Sequence, residues 1–174
     1  MRILRCAGRL LLQVPRGLAW PIVLSWCALI WFLSAQRPID YGVDEPIFGI
    51  ATNLGHAPLY GILAIWLALC APRENGWVRL DARTIGGILL AVFAYAIADE
   101  LHQAYVPGRD ASVCDLLTDV VGAYFTLRVA QIVGRGGGER SELARAVAFG
   151  LFASLATAAL ATWLPPMVPA AAWL

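Results

Sequence analysis

The chain has 174 residues, of which 60% are hydrophobic and only 14% charged, and its mean hydropathy is +0.68. Ordinary soluble domains carry roughly a quarter charged residues, so this composition excludes disorder, a coiled coil and almost every soluble fold. A net charge of +1 without a long basic run also excludes nucleic acid as a partner.

The expected architecture is all-α, a polytopic transmembrane bundle. A membrane-crossing helix needs about 20 mostly apolar residues. The first such stretch, Leu18–Ala35, follows Arg2, Arg5, Arg9 and Arg16 and has Pro21 in its opening turn, where the missing N–H is harmless. Arginines before an apolar run, and Ser34-Ala35 after it, resemble a signal peptide. Leu33 is a poor residue three positions before a cut, however, and the apolar run is too long, so an uncleaved span is expected. The second stretch is Leu54–Ala71, with His56 and Pro58 near its start. The third runs from Thr84 to about Ala98 and continues into a polar end at Asp99–Gln103. The fourth is Val113–Gly134, apolar apart from Asp115, Asp119 and Arg128. The fifth is Leu143–Leu164, stopped by Pro165 and Pro166. Cys6, Cys27, Cys70 and Cys114 form no metal-ligand spacing and read as small core-filling residues. All thirteen basic residues are Arg, which together with abundant Ala and Gly reads as codon bias.

These stretches divide the chain into an Arg-rich N-terminus at 1–17, a four-helix unit at 18–134, a Gly-rich linker at 135–142, and a fifth helix with a short tail at 143–174. Arginine bias sets the expected orientation. With the N-terminus in the cytoplasm, eleven arginines lie inside and only Arg37 and Arg109 outside, which puts the C-terminus outside. The outer side then holds eight acids against two arginines, or −6, and the inner side four acids against eleven arginines, or +7. His56 and His102 also fall on the outer side.

The densest polar stretch is Ala98–Asp115. Asp99, His102 and Gln103 share a helix face at i, i+3 and i+4. Val106-Pro107-Gly108-Arg109 reads as a turn. Ser112-x-x-Asp115 is a capping-box pattern, so Ser112 is expected to start the fourth helix. Asp115 and Asp119 lie one turn apart, and Gly122 continues their stripe, where it permits close helix approach. The third and fourth helices should therefore form a hairpin with facing polar ends. His56 and Tyr60, at i and i+4, begin the second helix at the same depth. Ionisable groups in a membrane are costly and face inward in pairs, which groups His56, Tyr60, Asp99, Glu100, His102, Gln103, Arg109, Ser112, Asp115 and Asp119 into one candidate ligand site. Arg109 is expected to pair with Asp99, Glu100 or Asp115, and Trp26, Trp31, Tyr60 and Tyr105 to ring the cleft.

The order Ser34, His56-x-x-x-Tyr60, Asp99-Glu100-x-x-Gln103-x-x-x-Pro107-Gly108-Arg109-x-x-Ser112-x-x-Asp115 and then Gly122 resembles the VanZ-like family of small bacterial membrane proteins, whose founding member is associated with teicoplanin resistance. The resemblance covers about residues 20–130 and implies a bacterial inner-membrane location. Two positions depart from it: the family usually has Lys where this chain has Asn53, and often Asn where it has Asp119. Both departures make the cluster more acidic.

The expected function is an outward-facing polar site that binds a cell-envelope ligand: a lipid head group, a cell-wall precursor or a lipoglycopeptide. Arg109 offers a bidentate fork for phosphate or carboxylate, and the acids would take hydroxyls or a cationic group. The alternative is a membrane-embedded hydrolase or transferase using the His/Asp/Glu/Arg cluster. H-E-x-x-H and G-x-S-x-G are absent. Glu100 and His102 point about 200° apart on a helix, a poor geometry for a shared ion. No cofactor is implied and no metal is assigned. Membrane lipids are the expected surroundings, and Gly150-x-x-x-Ser154-x-x-x-Ala158 suits a close helix contact, including one between copies.

Overall fold

The computed structural model describes residues 2–37, 45–109, 111–135 and 138–164, apart from the side chains of Glu45 and Pro46. Asp40, Asp44 and Asp110, all expected on the outer side, and the helix-stopping Pro165 and Pro166 lie outside the described residues.

The described chain is helical, with one short hairpin. Its elements are α1 (Arg2–Leu11), α2 (Arg16–Ser34), α3 (Glu45–Leu54), α4 (His56–Cys70), β1 (Arg73–Glu74), β2 (Trp77–Val78), α5 (Ala82–Gln103), α6 (Val113–Gly134) and α7 (Arg140–Trp163). Five stretches are long and apolar enough to cross a membrane: Arg16–Ser34, Ile47–Cys70, Ala82–Gln103, Val113–Gly134 and Arg140–Trp163. More of their large apolar side chains are exposed than buried. Leu24, Phe32, Leu90 and Phe152 are each more than 60% exposed, as suits a surface facing hydrocarbon rather than water.

The centre is the pair α4 and α6, with α2 and α5 on one side and α7 on the other. Tyr60, Leu63, Ala64, Val92 and Leu127 make up its most buried layer. Gly122 sets the α4–α6 distance, because a Cβ there would run into the backbone of Ala57. Gly61 plays the reciprocal part, its missing side chain leaving room for Thr126 and the Gly122 carbonyl. The small residues Gly150, Ser154 and Ala158 are the buried residues of α7. Gly150 rides against Phe125 of α6, so the stripe makes its close contact within the chain.

Four boundaries differ from the sequence reading. The second span begins earlier and is broken: α3 ends at Leu54, Gly55 forms a turn, and α4 starts at His56. Pro58 accounts for the break, since it cannot donate to the Leu54 carbonyl and its ring crowds that oxygen. Gly55 keeps helical dihedrals, so the interruption is one residue long; α3 packs on α7 while α4 packs on α6 and α2. Pro21 falls inside α2, one turn deeper than expected, because the helix already begins at Arg16. The Gly-rich linker is shorter than 135–142, since α7 starts at Arg140 with Glu139 at its N-cap. Finally, Arg73-Glu74-Asn75-Gly76-Trp77-Val78 forms an antiparallel hairpin with Glu74 opposite Trp77. Both turn residues take positive φ, 51° at Asn75 and 73° at Gly76, as a two-residue Asn-Gly hairpin turn requires. The indole of Trp77 then wedges between Gly8 of α1 and Gly134 of α6, where a Cβ on either glycine would collide with it.

Candidate functional site

The site lies at the bundle end where α2, α5 and α7 finish and α4 and α6 begin. Local sequence sets each piece. At the start of α6, Ser112 is the N-cap, its Oγ accepting from the backbone N–H of Cys114 (3.1 Å) and Asp115 (3.4 Å). Gly108, at φ 84°, takes the left-handed conformation that closes the turn between α5 and α6. The last turn of α5 presents Asp99, Glu100 and Gln103 to the interior, all at most 3% exposed.

Two polar groups form there. In the first, Asp99 is fully satisfied by neutral donors. Ser34 Oγ donates to its Oδ1 at 2.6 Å, while Tyr60 Oη and Gln103 Nε2 donate to its Oδ2 at 3.3 and 3.1 Å. This ties α2, α4 and α5 together. In the second, His56 Nδ1–H donates to Asp119 Oδ1 at 3.1 Å. Glu100 accepts from the Ser112 backbone N–H at its Oε2 (2.8 Å) and from Gln103 Nε2 at its Oε1 (3.5 Å). One ligand-type atom from each of His56, Glu100 and Asp119 falls within 4.8 Å of the others. Two buried oxygens beside them, Asp119 Oδ2 and Asp115 Oδ1, accept no hydrogen bond.

The positions of Arg109 and His102 correct the sequence reading. Arg109 pairs with none of the expected acids. Its Nε donates to the Gln36 carbonyl (2.9 Å), its Nη2 to the Leu33 carbonyl (3.3 Å) and its Nη1 to Gln103 Oε1 (3.4 Å). The guanidinium thus caps the C-terminal end of α2, where carbonyls lack intrahelical donors. The basic partner of the acids is His56 instead. His102 stands at the rim, its ring stacked on Trp31 at 3.9 Å between centroids. With the Ser34 proton directed to Asp99, the 3.4 Å contact between His102 Nδ1 and Ser34 Oγ leaves the imidazole as donor. Among the four ring aromatics, Tyr60 has no exposed surface and Trp26 Nε1 donates to the Leu59 carbonyl at 2.9 Å, so these two are interior supports. Tyr105 is 68% exposed.

A cleft with two lobes opens over these groups. One lobe, of about 360 Å³, lies between α3, α6 and α7 and is lined by polar groups including Asn53, Ser112, Asp115 and Thr162. The other, of about 530 Å³, lies between α2, α3 and α4 and is walled by Ile30, Leu33, Phe48 and Leu59. Thr52, His56, Gln103 and Arg109 line both. A family model for VanZ/LLP1 matches residues 4–134. The chain belongs to the VanZ/LLP1 family. No curated protein and no solved structure matches it. The match stops at the end of α6, so α7 lies beyond the family region. Yet α7 supplies Ala161, Thr162 and Leu164 to the polar lobe, and Asn53 Nδ2 donates to Thr162 Oγ1 at 3.3 Å.

Ser34, Thr52, Asn53 and Thr162 are site residues outside the sequence-derived set. Ser34 opens the motif order that carries the resemblance but is not counted among the expected ligand residues. Thr52 and Asn53 would have followed from placing the helix break at Pro58. Nothing in the sequence places Thr162 beside Asn53.

Proposed function

We propose that this membrane protein binds a lipid or lipid-linked cell-envelope precursor, its apolar chain in the lobe between α2, α3 and α4 and its phosphate-bearing head group in the polar lobe. The observation that carries this reading is the two-lobed cleft, apolar on one side and polar on the other, joined at His56, Gln103 and Arg109. An amphipathic ligand matches that division, since a binding site is mostly apolar with a few placed polar groups that fix orientation. Three N–H groups of Arg109 are engaged, which leaves two of its five for a phosphate oxygen. Asp115 and Asp119 would accept sugar hydroxyls or an amine from the same head group.

The eleven arginines at the opposite end support an orientation with the N-terminus in the cytoplasm and the cleft at the outer face of a bacterial inner membrane. A lipoglycopeptide such as teicoplanin carries an acyl chain and sugars, and the same cleft would accommodate it. A contribution to teicoplanin resistance is the corresponding extension of the proposal.

The test is native mass spectrometry of the purified protein, then delipidation and back-titration with a polyprenyl phosphate, with phosphatidylglycerol and with teicoplanin. The expected result is one stoichiometric phosphate-bearing lipid that Arg109→Lys weakens without unfolding the protein, because Lys keeps the charge and loses the fork. Saturable binding of teicoplanin alone would move the ligand from lipid to drug. Failure of every probe to bind the folded protein would defeat the reading.

A further inference from the structure

We propose that His56, Glu100 and Asp119 form a binding site for one divalent transition-metal cation of the Zn²⁺ or Mn²⁺ type at the junction of the two lobes. The inference deepens the ligand-cleft reading above and shares its location, but it rests on different observations. The three residues come from α4, α5 and α6, and one ligand atom from each lies within 4.8 Å of the others. In a tetrahedral Zn²⁺ site two ligands, each at about 2.1 Å, stand about 3.4 Å apart, so side-chain rotations that close the widest pair by about 1 Å would complete the site. Asp119 has no exposed surface, and its Oδ2 accepts no hydrogen bond. Asp115, one turn away on α6 and 7% exposed, leaves Oδ1 in the same condition.

A buried carboxylate oxygen with no donor costs about 1–3 kcal/mol or more. The neighbouring Asp99 shows that this fold can satisfy a carboxylate when it is only structural, with three donors aimed at it. At Asp119 the only donor among the described residues is His56, itself a ligand type. The charge balance points the same way. Three acids and one imidazole meet here with no arginine bonded to those acids among the described residues, and a dication is the kind of partner their deprotonated forms would take.

The donor set selects the ion. One imidazole with two or three carboxylate oxygens and no thiolate suits Zn²⁺, Mn²⁺ or Fe²⁺ better than Ca²⁺ or Mg²⁺, which take oxygen ligands. Binding would replace the His56–Asp119 hydrogen bond by two bonds to the ion, so uptake weakens as His56 is protonated. Because His56 lines both lobes, an ion held there would offer its remaining position to a phosphate oxygen of the bound head group.

The test uses the full chain in nanodiscs, stripped with a chelator. Zn²⁺ and Mn²⁺ are added separately, uptake is counted by elemental mass spectrometry after gel filtration, and affinity is measured by calorimetry. One equivalent of Zn²⁺ or Mn²⁺ per chain is expected, with a rise in melting temperature. Asp119→Asn, Glu100→Gln and His56→Gln should each weaken uptake by about 100-fold or more, by analogy with even indirect ligand-shell losses of 10–100-fold. Asp81→Asn, at the opposite end, should leave it unchanged. If Asp119→Asn fails to fold, His56→Gln and Glu100→Gln decide the matter. Folded wild-type protein that takes up neither ion, or folded variants that bind as well as wild type, would overturn the site. Lipid binding that persists in stripped protein without metal uptake removes the ion and leaves the cleft; metal uptake without lipid binding does the reverse.

Discussion

The two ends of the bundle carry opposite charge and dispose of it differently. At the end holding α1 and the hairpin, three guanidinium groups terminate on backbone carbonyls. Arg16 reaches the Cys70 carbonyl closing α4 (3.0 Å), Arg5 the Val133 carbonyl near the end of α6 (3.1 Å), and Arg73 the Leu12 and Val14 carbonyls after α1 (2.6 and 2.7 Å). Each satisfies an acceptor that a helix end leaves open and adds a favourable charge at the negative end of the dipole. At the other end, buried carboxylate oxygens of Asp115 and Asp119 are left without donors. Charge that serves architecture is matched by partners, so unmatched charge marks where something from outside is expected to bind. Arg109 follows the habit of the first end while standing at the second.

The sharpest break of this contrast compares two aspartates in one cluster. Asp99→Ala would strand the Tyr60 hydroxyl in the interior, at about 1–3 kcal/mol, and leave Ser34 with only the Trp31 carbonyl and Gln103 Nε2 with only Glu100. We expect the largest loss of thermal stability here, read as melting temperature in detergent. In metal-free protein Asp119→Asn should instead stay within about 1 kcal/mol of wild type, since an amide oxygen still accepts from His56 and the replaced Oδ2 had no donor. If Asp119→Asn destabilised the metal-free protein as strongly as Asp99→Ala, Asp119 would be a structural group and the contrast would fail.

Much of this contrast was legible in the sequence. The five apolar spans follow from composition and run length, and the facing polar ends of α5 and α6 follow from Asp99-x-x-x-Gln103 and Ser112-x-x-Asp115. The break before α4 was also readable, because Pro58 denies the Leu54 carbonyl its donor. So was the hairpin, because Asn75-Gly76 between Glu74 and Trp77 is a two-residue turn signal. The partners of Arg109 were not readable. A guanidinium that caps the carbonyls of a helix more than seventy positions away leaves no spacing pattern, whereas acids nearby in sequence invite a false ion pair. The same limit hid Thr162, whose approach to Asn53 depends on how α3 packs on α7.

Arg109→Lys comes next in size. Lys cannot reproduce the three directed contacts to Gln36, Leu33 and Gln103, and the loss should be about 1–2 kcal/mol, as for charged donors to carbonyls. Because neither Asp99 nor Asp115 is hydrogen-bonded to it, an Asp→Asn change at either should not rescue stability. Rescue in a double-mutant cycle would restore the ion pair that the sequence first suggested. Arg16→Ala, at the other end, should cost less, about 0.5–1 kcal/mol, because its contact to the Cys70 carbonyl is exposed to solvent.

The smallest expected effect is at Asp81, just before α5 and outside the spans. Its Oδ1 accepts from the Thr84 backbone N–H at 2.8 Å, and Arg79 lies 2.6 Å from its Oδ2. The hydrogen bonds from Thr84, and then Arg79, hold this carboxyl at about 2, below its ordinary 3.8. The sign follows from linkage: a depressed folded value means the contribution is present above the ordinary carboxylate range and is lost as pH falls from 3.8 through about 2. Since Asp81 is exposed, the Arg79 share should shrink with added salt, while the cap to Thr84 persists. Asp81→Asn should therefore lose the charge-dependent part and keep the cap, and Asp81→Ala should lose both. The stability gap between wild type and Asp81→Asn should close on acidification. Melting curves at two salt concentrations and several pH values measure this directly. A salt-independent Asp81→Asn loss exceeding that of Arg16→Ala would mean that the arginine end holds its charges as tightly as the cleft holds Asp99, and exposure would then not separate the two ends.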